Sequence, residues 1–268
     1  MKRLLIVLAG LALASCAMTS QAPATAVSDK LRAEFAPTGV LRVGTNFGNP
    51  VIVQKDPAGG DPRGVGPTLA RELARRLGVP VRYVVYDTAG KMADAAKQGA
   101  WDVAFLAVDP ARAEDIAFSA PYVDIEGTYL VRKDSPLTRI DELDRKGLRI
   151  AVAAKSAYDL FLTRHLKQSE LVRLPTSQAA IDAFLAGQTD VAAGVKNPLA
   201  DTARRNPNVR VIDGSYMTIG QASGVPKART EAARYLRAYI EEQKANGFVA
   251  RALCDSGVTD AKVSAAAG

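Results

Sequence analysis

The sequence predicts an α/β protein with largely parallel sheets, divided into two lobes. Short apolar segments alternate with helical periodicity, and the pattern restarts near residue 148 after a first series of strands and helices. Such alternation is typical of parallel α/β architecture. The 268 residues also fit two domains of about 150 residues each. One His and two Cys exclude multi-histidine metal sites and zinc ribbons, so we expect no metal and no cofactor.

The first series begins with a β-α-β unit. Strands are predicted at 41–44 and 81–86, and Leu69, Leu73 and Leu77 recur at helical spacing between them, before Gly78 ends the helix. The rest of this lobe is predicted as a helix and two strands, at 89–98, 101–108 and 128–131.

The second series has the same character. It consists of a strand at 148–153, helices at 157–166 and 179–185, a strand at 190–195, and a helix opened by Pro198. A long C-terminal helix, at about 227–244, presents one apolar face that includes Leu236 and Ile240.

The N-terminus is typical of an export signal. Lys2 and Arg3 precede an apolar run at 4–14 that is too short to span a bilayer. The run ends in Leu-Ala-Ser-Cys at 13–16, which resembles the lipobox of bacterial lipoproteins, where the Cys is lipidated and the chain is cut before it. We therefore predict a signal peptide at 1–16, lipidation of Cys16 and a flexible tether at 17–35. The alternative is a plain secretory signal, in which Cys16 is not lipidated.

Both interpretations of the N-terminus place the mature protein outside the cytoplasm.

The charge distribution argues against a nucleic-acid partner. The formal net charge is +7, and the Lys and Arg residues are scattered among Glu residues on amphipathic helices. If Cys16 is lipidated, Cys254 has no internal disulfide partner, and we expect an unreactive thiol.

Several motifs occur along the chain in a characteristic order and spacing. They are Leu-Arg-Val-Gly-Thr at 41–45, Gly-Val at 64–65, Leu-Gly-Val at 77–79, Gly-Ala-Trp-Asp-Val at 99–103, Arg112 with Phe-Ser-Ala-Pro-Tyr at 118–122, Gly-Gln-Thr-Asp-Val at 187–191 and Asn-Gly at 246–247. Together they resemble the family 3 extracellular solute-binding proteins, the periplasmic receptors of polar amino-acid ABC transporters. The resemblance runs from about residue 38 to residue 253.

This resemblance implies a type II periplasmic-binding-protein fold, with two α/β lobes joined by a two-segment hinge that closes over a ligand. Lobe 1 would take residues 36–131 and 220–268, and lobe 2 would take 132–219, with the crossings near Arg132-Lys133 and Thr218 to Gly220. It further implies a monomer in the periplasm, anchored through Cys16, that delivers its ligand to an ABC transporter permease.

Arg112 is the first candidate for binding the ligand. A guanidinium matches a carboxylate bidentately, and Arg112 follows a predicted strand, at the end where α/β sheets bind ligands. The resemblance implies that Arg112 holds the α-carboxylate. The alternative is a surface arginine paired with Glu114 or Asp115.

A second anion-binding element is expected across the cleft at Lys155, Ser156 and Ala157, which open a predicted helix. The resemblance implies a Gly-Thr pair here, so Lys155 stands in the place of the Gly. Ser156 serves equally well as a plain helix N-cap.

Departures from the family pattern bear on the ligand. The resemblance implies an acid at Val195 and a hydroxyl at Ala107, both of which bind the ligand's α-ammonium, and Lys196 follows Val195. An unpaired buried ammonium is costly, so these residues favour an organic or aromatic carboxylate without an ammonium. The alternative is an amino acid whose ammonium is taken by Asp109 or Asp124.

Asn46 and Phe47 follow the first strand, in the region where the resemblance implies a residue that stacks on the ligand. Phe47 is a candidate for that stacking contact and Asn46 for a hydrogen bond. Plain loop packing is the alternative for Phe47.

The same fold serves cyclohexadienyl dehydratase-type enzymes, in which a pocket acid protonates a leaving group. Asp124 or Glu126 would be that acid here, although an Asp-x-Glu-Gly segment is also typical of a solvated turn. We expect a binding protein and not an enzyme. A receptor that presents its ligand to a membrane sensor is a further alternative.

Overall fold

The computed structural model describes residues 27–258 and 261–268. They form two α/β lobes, as the sequence predicts, and two long antiparallel strands join these lobes. The predicted signal peptide, Cys16 and the first part of the predicted tether lie outside the described residues.

The elements up to the first crossing belong to lobe 1. They are α1 (Asp29–Phe35), β1 (Leu41–Asn46), α2 (Val65–Leu77), β2 (Val81–Tyr86), α3 (Ala89–Asp94), β3 (Val103–Ala107) and β4 (Ile116–Phe118), with short 3₁₀ turns at Ala95–Gln98 and Arg112–Glu114. α2 ends where the leucine spacing predicts, because Gly78 adopts the left-handed conformation that closes a helix (φ 67°).

The remaining elements cross into lobe 2 and return. They are β5 (Val123–Arg132), β6 (Arg149–Ala153), α4 (Ala157–His165), β7 (Glu170–Leu174), α5 (Ser177–Leu185), β8 (Val191–Val195), α6 (Lys196–Arg205), β9 (Val209–Val211), β10 (Met217–Pro226), α7 (Thr230–Ala245), α8 (Phe248–Asp255) and β11 (Lys262–Val263). A further 3₁₀ turn lies at Ile140–Leu143.

One hydrogen-bonded path runs through both lobes in the order β2-β1-β3-β10-β5-β8-β6-β7. The outer pairs are parallel, and the central strands β5 and β10 are antiparallel to their neighbours. β5 changes partner from β10 to β8 at Gly127, and β10 changes partner from β5 to β3 at Gln221. The expected crossing at Arg132-Lys133 therefore differs from the strand pairing, which reaches lobe 2 already at Gly127. No break in β5 marks the change, since the strand is continuous for ten residues.

Residues 29–35, which the sequence analysis assigned to the flexible tether, form α1 instead. The Ser28 Oγ accepts a hydrogen bond from the Leu31 amide and caps this helix. Phe35 is fully buried and contacts Tyr235 of α7 edge-on, with the ring centroids 6.0 Å apart. The Arg32 guanidinium also donates to the Leu77 carbonyl, at 2.9 Å, so several contacts hold this segment against lobe 1.

The C-terminal helices return to lobe 1. Leu236, Tyr239 and Ile240 of α7 are buried in the same core as α2, and the Tyr239 hydroxyl donates to the Leu69 carbonyl at 2.7 Å. The core of lobe 1 is thus built from both ends of the described chain, whereas the cores of lobe 2 lie on the two faces of β6 and β8 and come from residues between 129 and 212.

The buried carboxylate of Asp102 forms ion pairs that connect three segments of lobe 1. Asp102 is fully buried; it accepts two hydrogen bonds from the Arg42 guanidinium, at 2.7 and 2.9 Å, and one from Arg229 at 2.8 Å. It thereby links β1, the segment before β3, and the start of α7.

We expect Asp102→Asn to lower the free energy of unfolding by about 3–5 kcal/mol, because it leaves two arginines around a buried site without their anion. Urea unfolding measures the change. Asp141→Asn is the matched control: its partner is Arg139, both side chains are 68% exposed, and the expected cost is below about 1 kcal/mol. Equal losses in the two variants would contradict a stabilising role for the buried network.

Candidate functional site

A cleft lies between the lobes, and its space, counted together with the open solvent at its mouth, amounts to about 550 Å³. Its walls come from the carboxyl ends of β1, β3, β6 and β8, the starts of α3 and α4, and the crossing strand β10. The lining residues are Asn46, Gly48, Asn49, Asp87, Thr88, Ala89, Leu106, Ala107, Arg112, Ala153, Ala154, Ser156, Ala157, Tyr158, Ser177, Val195, Ile219 and Gln221.

Arg112 is the central charge of this cleft. Its side chain is buried, and the guanidinium donates to the Ala107 carbonyl of lobe 1 at 2.9 Å and to the Lys155 carbonyl of lobe 2 at 3.0 Å. No carboxylate of the described residues lies within 4 Å of it, and Asp115 pairs with Lys97 instead. Burial lowers the pKa of Arg112 to about 10. The guanidinium is therefore charged at neutral pH and lacks an anionic partner.

Across from Arg112, α4 presents its N-terminus. The Ser156 Oγ accepts from the Asp159 amide at 3.0 Å and caps the helix, and both Ser156 and Ala157 line the cleft. The first N–H groups of a helix have no intrahelical acceptor and favour an anion. Ser156 therefore caps the helix and lines the cleft at once.

Lys155 is absent from the cleft wall, although its carbonyl accepts a hydrogen bond from Arg112. It is the one non-glycine residue of the described chain with positive φ (57°), and its amide donates to the Asp159 carboxylate at 2.8 Å. This conformation accompanies the contact between its carbonyl and Arg112. Its ammonium binds Asp94 of α3, at 2.6 Å.

Asn46 and Phe47 were both predicted to contact the ligand. The structure places Asn46 in the cleft wall and Phe47 against the core of lobe 1. Asn46 is buried and lines the cleft, where its Oδ1 accepts from the Gly48 amide at 3.1 Å. Phe47 packs against the core of lobe 1, with the Lys55 Nζ 5.2 Å from its ring centroid, and is absent from the cleft wall. This placement agrees with the alternative that Phe47 packs within its loop and does not stack on a ligand.

Of the five residues that bear on an ammonium, the structure brings two into the cleft, and Asp124 is among the three that lie outside it. Ala107 and Val195 line it, whereas the Lys196 ammonium binds Glu126 at 2.6 Å on an exposed surface. Asp109 is buried outside the lining and accepts from the Ala111 amide and from Arg164, both at 2.9 Å. Its carboxylate is thus occupied by lobe 1 backbone and by a lobe 2 cation.

Sequence reasoning missed several polar residues of the cleft. Gln221 is a buried residue on the crossing strand β10, and Tyr158 shares a hydrogen bond of 3.1 Å with Ser177 of α5. Burial also raises the pKa of Tyr158. Tyr158 lies two residues after Ser156, so the helix start could have suggested it. Ser177 and Gln221 carry no local signal, because tertiary contacts alone bring them to the cleft.

Within residues 27–258 and 261–268, no helix has the length and apolar character of a membrane span. The same residues contain no group of three or more His, Cys, Asp or Glu side chains placed to hold a metal ion.

Residues 41–253 match the family model of the bacterial extracellular solute-binding proteins, family 3. A probable ABC transporter extracellular-binding protein, YckB of Bacillus subtilis (strain 168), is 33% identical over 126 residues, which span 46% of this chain and 43% of that relative. The match thus spans less than half of the relative's length.

Solved structures share the fold. The solute receptor for L-cysteine of Neisseria gonorrhoeae aligns with a TM-score of 0.74 at 23% identity, over 84% of this chain and 92% of that one. The ancestral amino acid-binding protein AncCDT-1, a precursor of cyclohexadienyl dehydratase, aligns with a TM-score of 0.71 at 22% identity, over 85% of this chain and 99% of that one.

In the part of the chain that the structure describes, the ion pairs of Arg164 with Asp109 and of Lys155 with Asp94 join the lobes beside the cleft. The first is the stronger candidate for holding the lobes together, because Asp109 is 3% exposed whereas both members of the second pair are about 60% exposed.

We expect Arg164→Met to shift the ligand-free protein towards an open arrangement, because it leaves the Asp109 carboxylate buried without its cation. Small-angle X-ray scattering measures this as a larger radius of gyration. Arg149→Met is the matched control, since Arg149 has the same 43% exposure and pairs with Asp190 inside lobe 2. An unchanged radius in Arg164→Met would show that this pair does not hold the lobes closed.

Proposed function

The chain belongs to the bacterial extracellular solute-binding proteins, family 3, and on that premise we propose that it is the binding component of an ABC importer that captures a small carboxylate-bearing solute between its lobes. The permease is its proposed partner, and the proposal is one of binding without turnover. YckB, named as an ABC transporter extracellular-binding protein, supports the transport context.

The observation that carries the proposal is the buried guanidinium of Arg112 without an acid. Its two hydrogen-bond partners are neutral carbonyls. Asp109 and Asp94 attract the guanidinium only from beyond ion-pair distance, so its charge has no directly paired anion in a cleft where the low dielectric strengthens electrostatic attraction. A carboxylate supplies two oxygens to the remaining N–H donors and balances the charge. Closure of the lobes would exclude water and strengthen that pair.

The helix start at Ser156 and Ala157 supports the same ligand class. The free N–H groups and the partial positive charge of this helix N-terminus would further stabilise an anion that contacts Arg112. The Arg112–Lys155 hydrogen bond joins the two elements, so both can act on one carboxylate.

The acids that a dehydratase-type reaction would use lie away from the cleft wall. Glu126 binds Lys196 on an exposed surface, and Asp124 belongs to β5, where it pairs with Gly220 and Lys262 through the backbone. Neither lines the cleft. Their placement favours binding over protonation of a leaving group.

We expect Arg112→Ala to weaken the best carboxylate ligand by about 2–5 kcal/mol, and Arg112→Lys to restore only part of this, because an ammonium cannot form the bidentate pair. A thermal-shift screen of amino acids and organic acids selects the ligand, and calorimetric titration measures the affinities. The matched control is Arg132→Ala, which removes another arginine that donates to backbone carbonyls, those of Phe184 and Leu185, away from the cleft. An unchanged Kd in Arg112→Ala would remove Arg112 from the binding site.

We further propose that the protein is held at the periplasmic face of a membrane by a lipid on Cys16, which lies outside the described residues. Cys16→Ser should move the protein from the membrane fraction to the soluble periplasm. Cys254→Ser is the control, because Cys254 is an exposed free thiol in lobe 1 and its loss should leave the distribution unchanged. Soluble wild-type protein with an unmodified Cys16 would contradict the anchor.

A further inference from the structure

We infer that the solute is a carboxylate without an α-ammonium group, a desamino acid and not an amino acid. The inference rests on the proposed function, because it takes Arg112 as the group that binds the carboxylate. It follows from the distribution of charge in and around the cleft.

Among the lining residues of the described chain, Arg112 is the one cation and Asp87 the one acid. Asp87 lies at the mouth; its side chain is 74% exposed, and its carboxylate is 2.9 Å from the Lys91 ammonium. It is therefore hydrated and already paired. The interior of the cleft contains one positive charge and no negative charge.

The acids just behind the walls are also engaged. The Asp109 carboxylate is bound by Arg164 and the Ala111 amide. The Asp159 carboxylate is bound by Arg173 and the Lys155 amide. Neither acid lines the cleft, and the charge of each is already balanced by an arginine.

The walls that remain are apolar or neutral. Leu106, Ala107, Val195 and Ile219 supply hydrocarbon, and Gln221 supplies an uncharged amide. A neutral oxygen can accept a hydrogen bond from an ammonium but cannot balance its charge. A bound amino-acid zwitterion would leave the closed cleft with one net positive charge, whereas a desamino carboxylate neutralises Arg112 and leaves none.

The experiment titrates matched pairs of probes into the full mature protein by calorimetry. The pairs are 3-phenylpropanoate and L-phenylalanine, 4-methylpentanoate and L-leucine, succinate and L-aspartate, and glutarate and L-glutamate, and 2-phenylethylamine serves as an ammonium without a carboxylate. For the skeleton that fits, we expect the desamino acid to bind at least tenfold more tightly, which corresponds to about 1.4 kcal/mol.

A charge-reversal pair of variants tests the cause. Val195 is the N-cap of α6 and provides no side-chain cap, so Asp and Asn are both favourable there for the helix. The two variants differ in charge alone. Val195→Asp should shift the affinity ratio at least tenfold towards the α-amino acid, since it attracts the ammonium and repels a lone carboxylate. Val195→Asn should leave the ratio close to the wild-type value.

The outcomes separate this inference from the proposed function. Tighter binding of the α-amino acid to the wild type, with the affinity lost in Arg112→Ala, overturns the inference and leaves the carboxylate site standing. Binding of 2-phenylethylamine with an affinity equal to that of the acids, or failure of every carboxylate to bind, overturns the proposed function and the inference with it. An equal shift in Val195→Asp and Val195→Asn overturns the charge-balance argument.

Discussion

The burial of one guanidinium between two lobes constrains most of what surrounds it. Arg112 loses its hydration when the lobes meet, and two backbone carbonyls, one from each lobe, replace part of that hydration. Carbonyl dipoles solvate a cation but do not cancel it. Under the proposed function, an anion in the cleft would complete the closed arrangement, and a single charge would couple ligand binding to lobe closure. Lys155 adopts a left-handed backbone conformation, and its carbonyl is the lobe 2 group that accepts a hydrogen bond from Arg112.

The acidic side chains near the cleft form ion pairs between the two lobes. Asp94 and Asp109 belong to lobe 1, and each pairs with a cation from lobe 2. Close packing adds to this contact: a Cβ on Gly90 would lie 2.5 Å from the Lys155 Cβ, so only a glycine permits the approach. Negative charge is thus concentrated at the rim of the cleft and is absent from its interior in the described chain. This separation of charge is the basis for proposing that the interior prefers anions.

The sequence predicted those features that local rules determine. The leucine spacing and Gly78 gave α2, the bounds of β2 were predicted as the structure has them, and the two-lobe α/β architecture was confirmed. Features set by distant contacts escaped prediction. The continuity of β5 across both lobes depends on partners far along the chain, and nothing in the local pattern distinguishes a crossing strand from an ordinary one. The order of α1 depends on the burial of Phe35 against α7.

The candidate site shows the same division. Position after a strand indicated Arg112, and the helix-start pattern indicated Ser156 and Ala157, all of which line the cleft. The long side chains of Lys155 and Lys196 instead reach acids 61 and 70 residues away in the chain. A flexible charged side chain pairs with whatever acid the fold brings near it, and no local pattern encodes that choice.

Because α7 returns to lobe 1, the lobe whose strands are synthesised first needs the last helices of the chain to complete its core. The Tyr239 hydroxyl meets the Leu69 carbonyl across 170 residues of sequence, so the first lobe to be translated cannot close its core until nearly the whole chain is available. The second lobe is contiguous in sequence and needs only shorter loops to close. Non-local contacts slow folding, so we expect lobe 1 to complete its core after lobe 2. A chain that ends before α7 would leave part of the lobe 1 core uncovered and prone to aggregation.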